Sequence, residues 1–110
     1  MNIPKNLSQV GYISLTCKLA QDGEQWTGEC IELGTATYGD TEFEVWEELK
    51  ELITLHLTGL EEEGESERFF KENGITIYPF SQQPQQQPFT IGGGIFPEIY
   101  PVHIPQYAIA

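Results

Sequence analysis

Residues 40–63 read DTEFEVWEELKELITLHLTGLEEE, and this stretch decides the fold. Val45, Leu49, Leu52, Ile53, His56 and Leu60 recur at helical spacing, with Trp46 and Leu57 on the shoulder of the stripe. Glu47, Lys50, Glu51, Thr54 and Thr58 fall opposite, so the helix has one apolar side to cover and one to leave in water. Asp40 and Thr41 offer N-cap oxygens, and Thr41 with Glu44 has the capping-box spacing. Glu42 and Glu44 place negative charge at the positive end of the helix dipole. Gly59 weakens the helix internally and Gly64 stops it, after a length of about 34 Å at about 1.5 Å per residue.

A helix apolar on one side requires a sheet or a second helix against it. Upstream, residues 12–19 alternate: Ile13, Leu15, Cys17 and Leu19 on one face, Ser14, Thr16 and Lys18 on the other. Asp22-Gly23 marks a hairpin, with both turn positions tolerant of positive φ. A second strand follows over 25–31, where Trp26, Gly28 and Cys30 share a face and Gly28 leaves room beside Trp26. Thr35 to Tyr38 supply β-branched and aromatic residues for a short third strand. Downstream, 66–73 reads as a short helix capped by Ser66 and stopped by Gly74, and 75–78 as a fourth strand. The expected fold is α+β: an antiparallel β-β-β-α-β sheet with one long amphipathic helix on one face. Trp26, Leu49, Leu52, Ile53 and His56 are expected between sheet and helix, and Leu52→Ala is expected to cost about 2–5 kcal/mol.

Composition changes near residue 79. Residues 81–88 read SQQPQQQP and 92–94 are three glycines, which gives a linker over 79–94 between a folded domain at 9–78 and a tail at 95–110. The tail, IFPEIYPVHIPQYAIA, is too apolar for a solvated end. Pro97, Pro101 and Pro105 exclude a helix and a central strand but permit an extended edge segment. Ile99, Tyr100, Val102, Ile104 and Tyr107 are therefore expected to dock in extended form on a sheet edge or groove of a partner chain, with a sticky disordered end as the alternative. Deleting 90–110 is expected to leave the 9–78 domain folded.

Acids outnumber bases 17 to 5, for a net charge of −12. Nucleic acid and anionic membrane surfaces are held through Lys and Arg, so neither is an expected partner. No apolar run reaches the roughly 18 residues of a membrane span. Residues 1–9 lack a charged lead followed by an apolar run, and a cytoplasmic location is expected. The chain has no His-Glu-x-x-His, Cys-x-x-Cys or phosphate loop, and the glutamates of 61–67 lie in a line that does not converge on a cation. No catalytic residue, cofactor or metal ligand is assigned, and Asp22 with Glu29 lacks a third group to make a carboxylate site. Cys17 and Cys30 share a face of neighbouring strands; a reducing compartment favours two small buried thiols, and oxidation allows a disulfide if the register opposes them.

Cys30-Ile31-Glu32-Leu33, then Tyr38-Gly39-Asp40-Thr41, then Glu44-Val45 and the run ending Leu55-His56-Leu57 resemble the HicB antitoxin family over 12–78. Val45 stands where that family often has Ala. The resemblance implies a degraded RNase H-like or double-stranded-RNA-binding-like α+β fold. It further implies a HicA-type toxin as partner, a small basic ribonuclease whose active face the antitoxin covers, and a dimer or higher homo-oligomer. Residues 79–110 hold neither the helical pattern nor the basic residues of the promoter-binding domain many members carry. An orphan HicB-like oligomerising domain without a toxin remains the alternative.

Overall fold

β1 (Val10–Asp22) is the strand around which the fold is built. The computed structural model describes residues 10–79, 81 and 92–103. β2 (Gln25–Cys30) pairs antiparallel with residues 17–22 of β1, and β3 (Thr35–Gly39) pairs with β2. After α1 (Glu42–Glu62) and α2 (Ser66–Glu72), β4 (Ile77–Pro79) returns to residues 11–13 of β1. β5 (Gly94–His103) pairs antiparallel with residues 10–19. Residues 11–13 and 17–19 each have two strand neighbours, so β2 and β4 share one edge of β1 and β5 takes the other. The fold is α+β with an antiparallel sheet of five strands. The sequence pattern gave four; segment 94–103 is the fifth, and it lies outside the 9–78 stretch.

Local chemistry sets the elements. The β1–β2 turn is the two-residue loop Gly23–Glu24, with Gly23 at φ 65° and Glu24 not at positive φ. That is the pattern of a II′ turn, which needs a left-handed residue only at its first central position. Thr41 caps α1, its hydroxyl accepting from the Glu44 N–H at 3.1 Å. Both helices end in Schellman caps: Glu65 N–H to Leu60 O and Gly64 N–H to Glu61 O close α1, and Ile75 N–H to Phe70 O and Gly74 N–H to Lys71 O close α2. Ser66 does not cap α2; it is already helical, and the N-cap is Glu65 without a side-chain bond.

Between the stretches paired with β2 and β4, the near edge of β1 has no strand beside it. There the Glu32 carboxylate accepts from the Thr16 N–H at 2.7 Å and the Thr16 hydroxyl at 2.8 Å, and Ile31 N–H donates to the Thr16 carbonyl at 3.0 Å. A side chain thus completes the hydrogen bonding that a strand would otherwise supply.

The core lies between the sheet and α1: Ile13, Leu15, Cys17 and Leu19 of β1, Cys30 of β2, Phe96 of β5, and Val45, Trp46, Leu49 and Ile53 of α1. Helix and sheet approach closely because a Cβ on Gly28 would lie 2.7 Å from Val45 Cγ1 and one on Gly39 3.1 Å from Val45 Cγ2. The buried sector of α1 is rotated toward Trp46 relative to the expected stripe. Trp46 packs edge-on against Phe96 with ring centroids 5.1 Å apart, so β5 widens the sheet on that side. Leu52 and His56, expected in the core, are half-buried, as is Trp26. Leu49→Ala, at a fully buried site, is therefore expected to cost about 2–5 kcal/mol, and Leu52→Ala clearly less. Urea unfolding of the two variants side by side checks the order; equal losses would mean that the helix is seated differently.

Candidate functional site

Four surfaces carry the exposed chemistry: the face of the sheet away from α1, the sheet's two lateral edges, and the outward side of α1. Ser14, Thr16 and Lys18 of β1 lie on the uncovered face, with Thr27 and Glu29 of β2 and Ala36 and Tyr38 of β3. On β5 it carries Ile95, Pro97, Ile99 and Pro101, opposite Lys18, Thr16, Ser14 and Tyr12. Half of the uncovered face is thus polar and half apolar, with Ile95 65% exposed.

The residues expected to bind a partner divide. Ile99 is on the uncovered face. Tyr100 and Val102, opposite Ile13 and Gly11, are on the helix side and pack against the core. Ile104 and Tyr107 lie outside the described residues. β5 is extended, and it pairs with β1 of its own chain. Contacts to α1 hold it along its length: Gly92 N–H donates to the two Glu42 carboxylate oxygens at 3.0 and 3.2 Å, Phe96 meets Trp46, and His103 Nδ1 meets the Glu61 carboxylate. Gly93 sits where a Cβ would be 2.8 Å from the Leu19 carbonyl oxygen, at φ 90°, so the glycine run is a fitted approach to β1 and not merely a joint. Phe96, Tyr100 and Val102 share one parity, but Glu98 interrupts it and Ile95 and Ile99 occupy the other, so no two-residue alternation marks this strand in the sequence.

The prolines determine what the outer edge of β5 can do. Thr16 turns its N–H and C=O toward Glu32 and Ile31, away from β5. Strand alternation then makes Thr16–Pro97 and Tyr12–Pro101 pairs without mutual hydrogen bonds. The missing donors of Pro97 and Pro101 face outward, where they leave the ladder to β1 intact and deprive an incoming strand of partners. β3, at the opposite end of the sheet, has no such protection. The same alternation points the N–H and C=O of Ala36 and Tyr38 away from β2, and Tyr38 is 69% exposed beside a depression of ≈ 360 Å³ lined in part by Ala20, Thr27 and Ala36.

The outward side of α1 is acidic, with Glu44, Glu47, Glu48 and Glu51 exposed alongside Phe43 and Leu55. Glu47 is paired with Lys50 at 2.9 Å, and Glu48 accepts from the Thr37 hydroxyl at 2.8 Å. His56 Nδ1 lies 3.4 Å from the Thr35 hydroxyl with its ring against Phe69, a position between α1, β3 and α2. Glu29 faces Lys18, and Asp22 faces Gln25 four residues along β1, so the structure does not bring Asp22 and Glu29 together. Among the described residues no group of three or more His, Cys, Asp and Glu side chains is placed to hold a metal ion, and no helix is long and apolar enough to cross a membrane. Burial pushes the Tyr100 hydroxyl up from its ordinary range, with the Glu98 carboxylate adding to the shift. That hydroxyl oxygen is buried without a hydrogen-bond partner. Comparison with family models, with curated proteins and with solved structures returns no match to this chain.

Proposed function

We propose that this chain is an antitoxin-like binding protein of the cytoplasm that neutralises a small basic, messenger-RNA-cleaving toxin of the HicA type by covering its active face. The observation that carries the reading is charge: a net −12, with four exposed glutamates on one side of α1. A field of this sign steers a basic partner toward the surface and repels nucleic acid. The order Glu32-Leu33, Gly39-Asp40-Thr41 and amphipathic helix supports it through the family resemblance. In this reading the chain acts by occupation and performs no chemistry of its own.

The test is purification of the tagged full chain from its native host. Retention of a small basic polypeptide whose ribonuclease activity the chain abolishes, with affinity falling as salt rises, is the expected result. Recovery of the chain without any such polypeptide would sink the toxin reading. By the same charge argument the isolated protein is expected to leave the fluorescence anisotropy of labelled duplex DNA or RNA unchanged at physiological salt; salt-sensitive binding in the micromolar range would overturn the argument itself.

The open edge of β3 favours a second reading, an oligomerising domain. Two copies of β3 placed antiparallel about Thr37 set Ala36 against Tyr38 of the other copy, and all four residues then exchange outward N–H and C=O groups. A large aromatic meets a small residue at each of these pairs, and β3 itself carries no charge. A dimer is the expected mass in light scattering. Ala36→Pro removes an outward donor without touching the ladder to β2, and is expected to yield folded monomer; an unchanged dimer would place the interface elsewhere.

A further inference from the structure

The register of the hairpin sets the chain's two cysteines directly opposite each other, Cys17 on β1 and Cys30 on β2. Thr16 directs its N–H and C=O toward the β2 side, so Cys17, one residue on, directs its own toward β5. Cys30 directs its carbonyl the other way, accepting from Gly34 N–H at 3.0 Å. The two cysteines are therefore a pair without mutual backbone hydrogen bonds, the kind in which Cα atoms approach to about 4.5 Å and side chains are closest. A disulfide needs Cα atoms about 4.4–6.8 Å apart with Cβ atoms on the same side. Both side chains point into the core beneath α1 and both are 0% exposed. They are free thiols in this structure.

We propose that Cys17 and Cys30 are a disulfide-forming pair: with a small-molecule disulfide such as oxidised glutathione as oxidant, they close an intramolecular bond that staples β1 to β2 under α1. The sulfurs are not equivalent. Mutual interaction of the two thiols raises Cys17 and lowers Cys30; burial raises Cys17 further and opposes the lowering of Cys30, to which backbone groups of Leu33 and Glu32 add. Cys30 is the last residue of β2, and the turn over residues 31–34 follows it, so fraying of that strand end is the shortest opening that admits the oxidant. The Cys30 thiolate attacks a sulfur of the oxidised glutathione and expels one glutathione thiolate. Cys17, giving up its proton to solvent, attacks the Cys30 sulfur of the mixed disulfide and expels the second. Two protein thiols are oxidised by two electrons, and one glutathione disulfide is reduced to two thiols. The chain has no third cysteine to divert the exchange.

The test uses the full chain equilibrated in reduced and oxidised glutathione, once in native buffer and once in urea, then quenched by alkylation and weighed. A folded sheet that presents the pair in bonding geometry raises its effective concentration over that in the unfolded chain. The product is expected to be lighter by two hydrogens, with an exchange equilibrium constant about tenfold or more larger in native buffer. Its urea midpoint should lie above that of the reduced protein, and dithiothreitol should return it. An equilibrium constant equal or smaller in native buffer would overturn the proposal, because the folded strands would then be resisting the bond. A glutathione adduct or an intermolecular dimer as the main product would overturn it too. Cys17→Ser, checked for an unchanged far-ultraviolet spectrum, should show no such midpoint shift; a shift of the same size would place its cause elsewhere.

Discussion

Removing residues 92–110 is expected to unfold this protein. β5 covers ten consecutive residues of the central strand, from Val10 to Leu19, and its loss leaves that edge open to water. It also takes away Phe96, only 8% exposed, from beneath Trp46. Truncating one buried Phe to Ala costs about 3–5 kcal/mol, and the whole stability of a domain is about 5–15 kcal/mol. Loss of Phe96 together with the ladder, the Tyr100 and Val102 packing and the Glu42–Gly92 contact takes most of that margin. This reverses the expectation from composition that 9–78 stands alone. Circular dichroism and urea titration of the truncated chain check it. A cooperative transition with the midpoint of the full chain would show that β5 is an accessory. Phe96→Ala in the full chain separates packing from pairing: it should lower the midpoint and keep the transition cooperative.

Gly28→Ala is expected to destabilise by about 1–3 kcal/mol, although alanine is ordinarily the milder residue in a strand. The added methyl carbon falls 2.7 Å from Val45 Cγ1, 3.1 Å from Leu19 Cδ2 and 3.4 Å from Leu49 Cδ2. Val45 and Leu49 are in α1, so relief requires lifting the helix from the sheet along a buried seam. Val45→Ala alone is expected to leave a cavity and lower stability. Combined with Gly28→Ala it removes the colliding methyl, so the double variant should be more stable than the sum of the single losses predicts. Urea unfolding of all four proteins completes the cycle; additive losses would mean that residues 28 and 45 do not share this space.

Much of the architecture was legible because its causes are local. The alternation of Ile13, Leu15, Cys17 and Leu19 needs only the two-residue period of a strand. Thr41 and Gly64 bound α1 through hydrogen bonds made within a few residues of each end. The Cys17–Cys30 face followed from the same alternation, and hairpin registers are fixed by a two-residue loop. The candidate site was less legible. Acidity on one side of α1 follows from helical spacing, but the open edge of β3 depends on which strands lie beside it, and spacing says nothing of that.

Tertiary structure decided the placement of β5, and through it the seat of the helix. Read alone, prolines at every fourth position argue against a ladder. The four-residue spacing also gives Pro97 and Pro101 one parity, so their missing donors face one edge, and the strand pairs normally once β1 offers its edge on the other side. Trp46 moved from the shoulder into the core because Phe96 stands beneath it, and Leu52 moved outward as the helix turned. Glu32 joined Thr16 because β2 ends where β1 continues, a mismatch of strand lengths that appears only on pairing. In each case the deciding contact joins residues far apart in sequence, whose meeting is set by the burial of the whole sheet and not by the preferences of either segment.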